Sequence, residues 1–273
     1  MGIPAYYSYL IKNYKKIIIK RKKLNEKVSN FYLDSNSIIY NCLALMDGGF
    51  NKDFVNNLIK NICLQIDEYI KEIKPSNLVY ISFDGVAPFA KLKQQKERRF
   101  KSKIITELIN DIIGENDIIG ESNFDRTCIT PGTEFMNELN DKVAQYFSGR
   151  EQFYNVNKII VSGSDERGEG EHKIFDYIRN NHKESHVIYG LDADLIILCL
   201  NHMYITKKIY LFRETPEFIK SLSADMDPGA LYLMKIEELM YYIVDKMTEK
   251  NKVKKNNRVN ASNNRVNASN NRV

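Results

Sequence analysis

Apolar residues recur along this chain with two different periods. Between residues 53 and 73, Phe54, Leu58, Ile62, Ile66, Tyr69, Ile70 and Ile73 fall three or four positions apart. That spacing predicts a long amphipathic helix with one buried face, which Pro75 ends. Residues 4 to 19 carry Tyr6, Tyr9, Leu10, Tyr14, Ile17 and Ile18 at mixed helical spacing. They predict an N-terminal helix, followed by a basic, solvated turn from Lys20 to Lys23. Short unbroken apolar runs predict buried strands at Phe31 to Leu33, Leu78 to Phe83, Lys158 to Ser162 and His186 to Tyr189. Helices are expected from Ser35 to Leu45, across Lys91 to Arg99, at Pro131 with Thr130 as its cap, and after Gly168. Strands alternating with helices predict an α/β fold with a mostly parallel central sheet flanked by helices.

The predicted strands share one feature: acids follow all four. The first ends in Asp34 and the second in Asp84-Gly85. The third leads into Gly168-Glu169-Gly170-Glu171-His172-Lys173, and the fourth into Gly190-Leu191-Asp192-Ala193-Asp194. The carboxyl ends of parallel strands lie on one edge of a sheet, where open α/β folds place their chemistry. Asp34, Asp84, Glu169, Glu171, Asp192 and Asp194 would then converge on one cleft. Such acids repel one another, and their pKa values rise. A divalent cation relieves this, and oxygen ligands without a His or Cys cluster favour Mg²⁺ or Mn²⁺. Two such ions can activate a water and stabilise a leaving oxygen in phosphodiester cleavage. Glu169 and Glu171 also sit at a helix mouth, so capping stays open as a second reading. Glu134 reads as a helix-capping acid, and His172 as a local hydrogen-bonding residue.

Lys91, Gln95, Arg98 and Arg99 stand at i, i+4, i+7 and i+8, on one face of a helix. Forked Arg donors beside a Lys charge suit a terminal phosphate. The formal net charge of +5 is compatible with nucleic acid without pointing to it. A hydrophobic content of 43% is enough for a packed core and argues against a disordered chain. No run of about 18 apolar residues predicts a membrane span. The N-terminus lacks a signal-peptide layout, and Tyr6 replaces the Ser or Thr usual after a myristoylated Met-Gly. Cys42, Cys63, Cys128 and Cys199 are scattered, with no CxxC pair, and fit a reducing compartment. An intracellular protein, nuclear or cytoplasmic, is expected.

These motifs together resemble the amino-terminal half of the catalytic region of the Xrn family of 5′→3′ exoribonucleases. The resemblance runs in order through Met1-Gly2-Ile3-Pro4, Tyr32 to Asn36, Phe83 to Pro88, Lys91 to Phe100, Cys128 to Phe135, Gly168 to Lys173 and Tyr189 to Ile196. It covers roughly residues 1 to 250. It implies a PIN-like, flap-endonuclease-related core and Mg²⁺-dependent, processive removal of nucleotides from single-stranded RNA bearing a 5′-monophosphate. It implies that Asp34, Asp84, Glu169, Glu171, Asp192 and Asp194 bind metal and that Lys91, Gln95, Arg98 and Arg99 form the 5′-phosphate pocket. A first-base stacking histidine of the family is replaced here by Tyr40, whose ring can still stack. The tryptophan partner of that stack has no counterpart, since the chain contains no Trp.

The family pattern continues past the helix near residues 235 to 250 into a second half with a Gly-Asn-Asp metal motif that this sequence lacks. Asp225 and Asp227 sit in a turn-like segment and are poor substitutes. Residues 251 to 273 instead hold a polar tail with Asn-Asn-Arg-Val-Asn-Ala-Ser repeats, expected to be disordered. The reading is therefore a nuclease domain over 1 to 250, active as an exoribonuclease. The alternative is a truncated, weakly or non-catalytic protein that binds RNA 5′ ends. A structure-specific DNA flap nuclease shares the acid cleft and ranks third.

Overall fold

A computed structural model describes residues 6–46, 52–113, 124–181, 184–213 and 231–248. The repeat tail, Asp225, Asp227 and the first five residues lie outside these described residues. Seven strands form one sheet: β1 (Ile18–Lys20), β2 (Asn30–Asp34), β3 (Leu78–Ser82), β4 (Lys158–Ser162), β5 (His186–Tyr189), β6 (Ile209–Arg213) and β7 (Tyr232–Lys235), in the order β1-β7-β6-β5-β2-β3-β4. The five strands from β4 to β6 are parallel; β7 runs antiparallel to both β6 and β1.

The helices are α1 (Tyr6–Asn13), α2 (Asn36–Ala44), α3 (Lys52–Ile73), α4 (Phe89–Ile113), α5 (Glu134–Phe147), α6 (Glu151–Tyr154), α7 (Gly170–Asn180), α8 (Asp194–Asn201) and α9 over 236–248. Phe31, Leu33, Val79 and Ile81 face α2, α3 and α5, where Leu58, Ile62 and Ile66 of α3 are fully buried. Tyr32, Tyr80 and Ile188 face the other way, into a core with α1, α7, α8 and α9. The central strands are thus buried on both faces, which is why they read as unbroken apolar runs. Each fully buried aliphatic side chain contributes about 1.5–3 kcal/mol, so the stripe of α3 anchors its face of the sheet.

Strand order sets the position of the site. From β2 the chain steps outward to β3 and β4, then returns to the opposite side of β2 to lay down β5 and β6. The winding changes direction between β2 and β5, and the carboxyl ends of strands at such a point are where open α/β sheets bind their ligands.

Three local expectations are corrected. The N-terminal helix stops at Asn13, and Ile18–Lys20 is a strand paired with β7. The β-branched Ile17-Ile18-Ile19 run favours strand once a partner edge is present. The basic turn is not wholly solvated, because the Arg21 guanidinium bonds the Ile73 carbonyl. The helix near Pro131 starts at Glu134, capped by Thr133, whose hydroxyl accepts from Met136 N at 3.4 Å. Gly132 sits at φ +87°, a left-handed conformation that keeps Pro131 outside the helix. Glu134 falls in the first turn, as a capping acid should.

Candidate active site at the carboxyl edge of the sheet

Each candidate acid is placed by a strand end. Asp34 is the last residue of β2, and Asp84 follows β3 by two positions. Glu169 and Glu171 flank Gly170, the first residue of α7. Asp194 opens α8, and Asp192 lies just before it. Because β4 is an edge strand two positions from β2, its acids reach the centre only if the chain doubles back.

The loop after β4 does so across the end of β3. Gly85 N donates to Gly168 O at 2.9 Å, and Gly168 N donates to Val86 O at 3.1 Å. A Cβ on Gly85 would stand 1.6 Å from the Glu166 carbonyl oxygen, so only glycine fits. Gly168 has φ +101°. A Cβ on Gly170 would lie 2.7 Å from Asp34 Oδ1 and 3.4 Å from Asp84 Oδ1. The Gly-Glu-Gly-Glu spacing therefore has a geometric cause: glycine lets the backbone touch Asp34 and Asp84 while the carboxylates stand on either side.

Asp84 is held at both oxygens. Gly170 N donates to Oδ1 at 2.7 Å, and Asn36 Nδ2 donates to Oδ2 at 2.7 Å. Asp84 N donates back to Asn36 Oδ1 at 3.0 Å. From the sequence Asn36 reads only as part of a helix start; its reciprocal bonds come from β2 and β3 lying side by side. Lys91 Nζ stands 3.1 Å from Glu169 Oε1. His172 Nε2 lies 3.7 Å from Glu169 Oε2 and 3.9 Å from Glu171 Oε1. Ligand atoms of Glu169, Glu171 and His172 all fall within 4.8 Å of one another, nearer than sequence spacing suggests for His172.

All six acids share one field. Burial, then the charges of Asp84, Glu171, Asp192 and Glu169, push the Asp34 carboxyl well above the usual range. Burial, then Glu169, Asp192 and Asp194, raise Glu171 to about 7, with Lys91 opposing. Asp84 is raised by burial, against the bond from Gly170. Burial would lower Lys91, but its hydrogen bond to Glu169 and the charges of Glu169, Glu171 and Asp194 raise it overall. A crowded, oxygen-rich donor set in which Asp34, Asp84 and Glu171 resist ionising fits a hard divalent cation. Capping alone does not account for this overlap.

The residues expected to hold a terminal phosphate lie on one helix. Lys91 lies in the first turn of α4, and Gln95, Arg98 and Arg99 follow on the same helix. The side chains of those three lie outside the described residues. Tyr40 stands on α2 with 44% of its surface exposed, open enough for a ring to stack on it. The four cysteines form no disulfide, and no described helix is long and apolar enough to cross a membrane.

A pH prediction follows from Glu171. The unfolded chain releases this proton near pH 4.5, whereas the folded protein holds it to about 7. The folded state thus binds more protons between these values. The contribution of Glu171 to stability is therefore fully present below pH 4.5 and is lost as pH rises to about 7. Metal-free melting curves across that range should show the decline, and Glu171→Gln should flatten it. An unchanged slope in the variant would remove Glu171 as the source.

Comparison with known proteins gives one consistent result. A family model described as XRN 5′-3′ exonuclease N-terminus matches residues 1–215. The chain is 39% identical over 218 residues to the 5′-3′ exoribonuclease 1 of Saccharomyces cerevisiae, a match covering 74% of this chain and 14% of that protein. It is 34% identical over 215 residues to the Homo sapiens 5′-3′ exoribonuclease 1, covering 73% of this chain and 12% of that one. With the 5′-3′ exoribonuclease 2 of Gallus gallus it shares 34% identity over 244 residues, covering 73% and 25%. The matched region spans between 12% and 25% of the length of these relatives.

Proposed function

The chain belongs to the XRN 5′-3′ exonuclease family, and from that premise we propose that it removes nucleotides from the 5′ end of single-stranded RNA by Mg²⁺-dependent phosphodiester hydrolysis, selecting 5′-monophosphate ends. The observation that carries the reading is the shared field of six carboxylates at one sheet edge, with Lys91 at its rim.

Asp34, Asp84, Glu169, Glu171, Asp192 and Asp194 would hold Mg²⁺ or Mn²⁺. Such ions supply an activated water and charge stabilisation for the leaving oxygen. Gly170 N and Asn36 fix the carboxylate of Asp84 from two sides, so it need not reorganise when RNA arrives. Lys91 pairs with Glu169 and stands on the helix that also carries Gln95, Arg98 and Arg99. We assign these four to the 5′-phosphate, with Lys91 joining the phosphate pocket to the acids. Tyr40 is assigned to stacking on the first base. A pocket of this charge and size would favour a monophosphate over a triphosphate or capped end.

The test is degradation of a 3′-labelled RNA with a 5′-monophosphate in Mg²⁺, beside its 5′-hydroxyl twin and an Asp192→Ala, Asp194→Ala double variant. Loss of the monophosphorylated RNA alone, absent in the variant, is the expected result. Tighter binding of that RNA without loss would favour a 5′-end-binding protein instead. Equal treatment of both RNAs would remove the 5′-phosphate assignment.

A further inference from the structure

α4 leaves its apolar residues in solvent. It runs for 25 residues, Phe89–Ile113, a length of about 37 Å. Among the described residues, none of its side chains joins either buried core. Phe100, Ile104 and Leu108 follow one another at i, i+4 and i+8, and Phe89 lies on the same side three turns earlier. Phe89 is 86% exposed, Phe100 67% and Leu108 54%. Single exposed apolar residues need no explanation, but a stripe along one side of a helix marks a contact surface. By the same helical period, positions 91, 95, 98 and 99 fall on the other side. The stripe is therefore separate from the residues assigned to the 5′-phosphate.

Charge beside the stripe is distributed unevenly along α4. Its first part carries Lys93, Lys96, Lys101 and Lys103 against one acid, Glu97. The run from 104 to 113 holds Glu107 and Asp111 and no cation. Positions 93, 96, 107 and 111 all fall on the apolar side. A parallel copy of the helix would set lysine against lysine and acid against acid. An antiparallel copy sets Lys93 and Lys96 of each chain against Glu107 and Asp111 of the other while the two stripes meet. That arrangement is two-fold symmetric, so it closes as a dimer.

We propose that the apolar stripe of α4 is a self-association surface, on which a second copy of this chain docks its own α4 in the antiparallel sense. Phe100, near the middle of the helix, lies at the centre of the contact. The lysines and acids set its direction. Positions 91, 95, 98 and 99 are left outside it. The inference does not depend on the chemistry of the acid cluster.

The experiment is sedimentation equilibrium of the full chain over a concentration series. The wild type is expected to dimerise. A two-fold contact contains each residue twice, so Phe100→Glu is expected to weaken dimerisation by about 100-fold or more. Lys93→Glu with Lys96→Glu, and separately Glu107→Lys with Asp111→Lys, should each leave monomers. Mixing these two proteins should restore a dimer, which also shows that neither is unfolded. A monomeric wild type would overturn the proposal, as would a Phe100→Glu protein that dimerises like the wild type. Charge variants that each still dimerise, or a mixture that stays monomeric, would overturn the antiparallel arrangement.

Discussion

Replacing Asp34 with asparagine is expected to lower RNA hydrolysis by about 10³-fold or more and, at the same time, to raise the melting temperature of the metal-free protein. Both effects have one cause. Asp34 ends β2, where the sheet changes winding direction, and burial and four neighbouring acids oppose its charge. Asparagine keeps the shape and removes the charge. The metal-free protein is relieved of a repulsion, by about 3–6 °C in melting temperature, while the donor set loses the carboxylate at the end of β2. Gain of stability with loss of function is the pattern of a site held under strain for its chemistry. Calorimetry in EDTA at pH 8, paired with a gel assay on 5′-monophosphorylated RNA, checks the two halves together. An inactive variant that also melts lower would mean that the carboxylate serves as a hydrogen-bond acceptor of the fold.

The second large effect is expected at Gly85. Alanine there would place a methyl 1.6 Å from the Glu166 carbonyl oxygen, a backbone atom that cannot swing aside. The loop after β4 would lift from the end of β3, breaking the paired bonds between Gly85, Val86 and Gly168. A loss of about 3 kcal/mol or more is expected, at the upper end for a single added methyl. Hydrolysis should fall further than stability does, because Glu169 and Glu171 move with the loop. Denaturant unfolding and the same RNA assay decide this. A Gly85→Ala protein with wild-type activity would mean that the loop is not what delivers those acids. Gly132, by contrast, has no atom near its missing Cβ, so its alanine variant reports only the cost of a positive φ.

The sequence made the strand ends legible for a physical reason. Central parallel strands are buried on both faces, so they read as apolar runs, and the acids stand out where the runs stop. Four strands and the helix stripe of α3 could be found that way. β1 and β7 were not found: the Ile17-Ile18-Ile19 run merged with the helical stripe before it, and both strands take their place from the antiparallel pairing of β7 with β1 and β6. Ile209–Phe212 of β6 did carry a readable apolar run. Asn36 and Lys173 were visible as letters but not as partners: their bonds join segments 48 and 90 positions apart, and no local period encodes such a meeting. The Gly-Glu-Gly-Glu motif lies between these cases. Its residue types announced a close approach, and only the fold shows that the neighbours approached are Asp34 and Asp84.

The winding of the sheet also bears on how this protein comes off the ribosome. β2 is the middle of the parallel array, yet one of its two neighbours is made 156 positions later, as the pairing of Asn30 with His186 shows. At about 5–20 residues per second, translation leaves one edge of the central strand open for roughly 10–30 s. An open apolar edge is a template for wrong pairing. During the same interval Asp34 has no Asp192 or Asp194 beside it. A nascent chain therefore passes through a stretch in which it is at its most prone to aggregate and cannot yet complete its acid cluster.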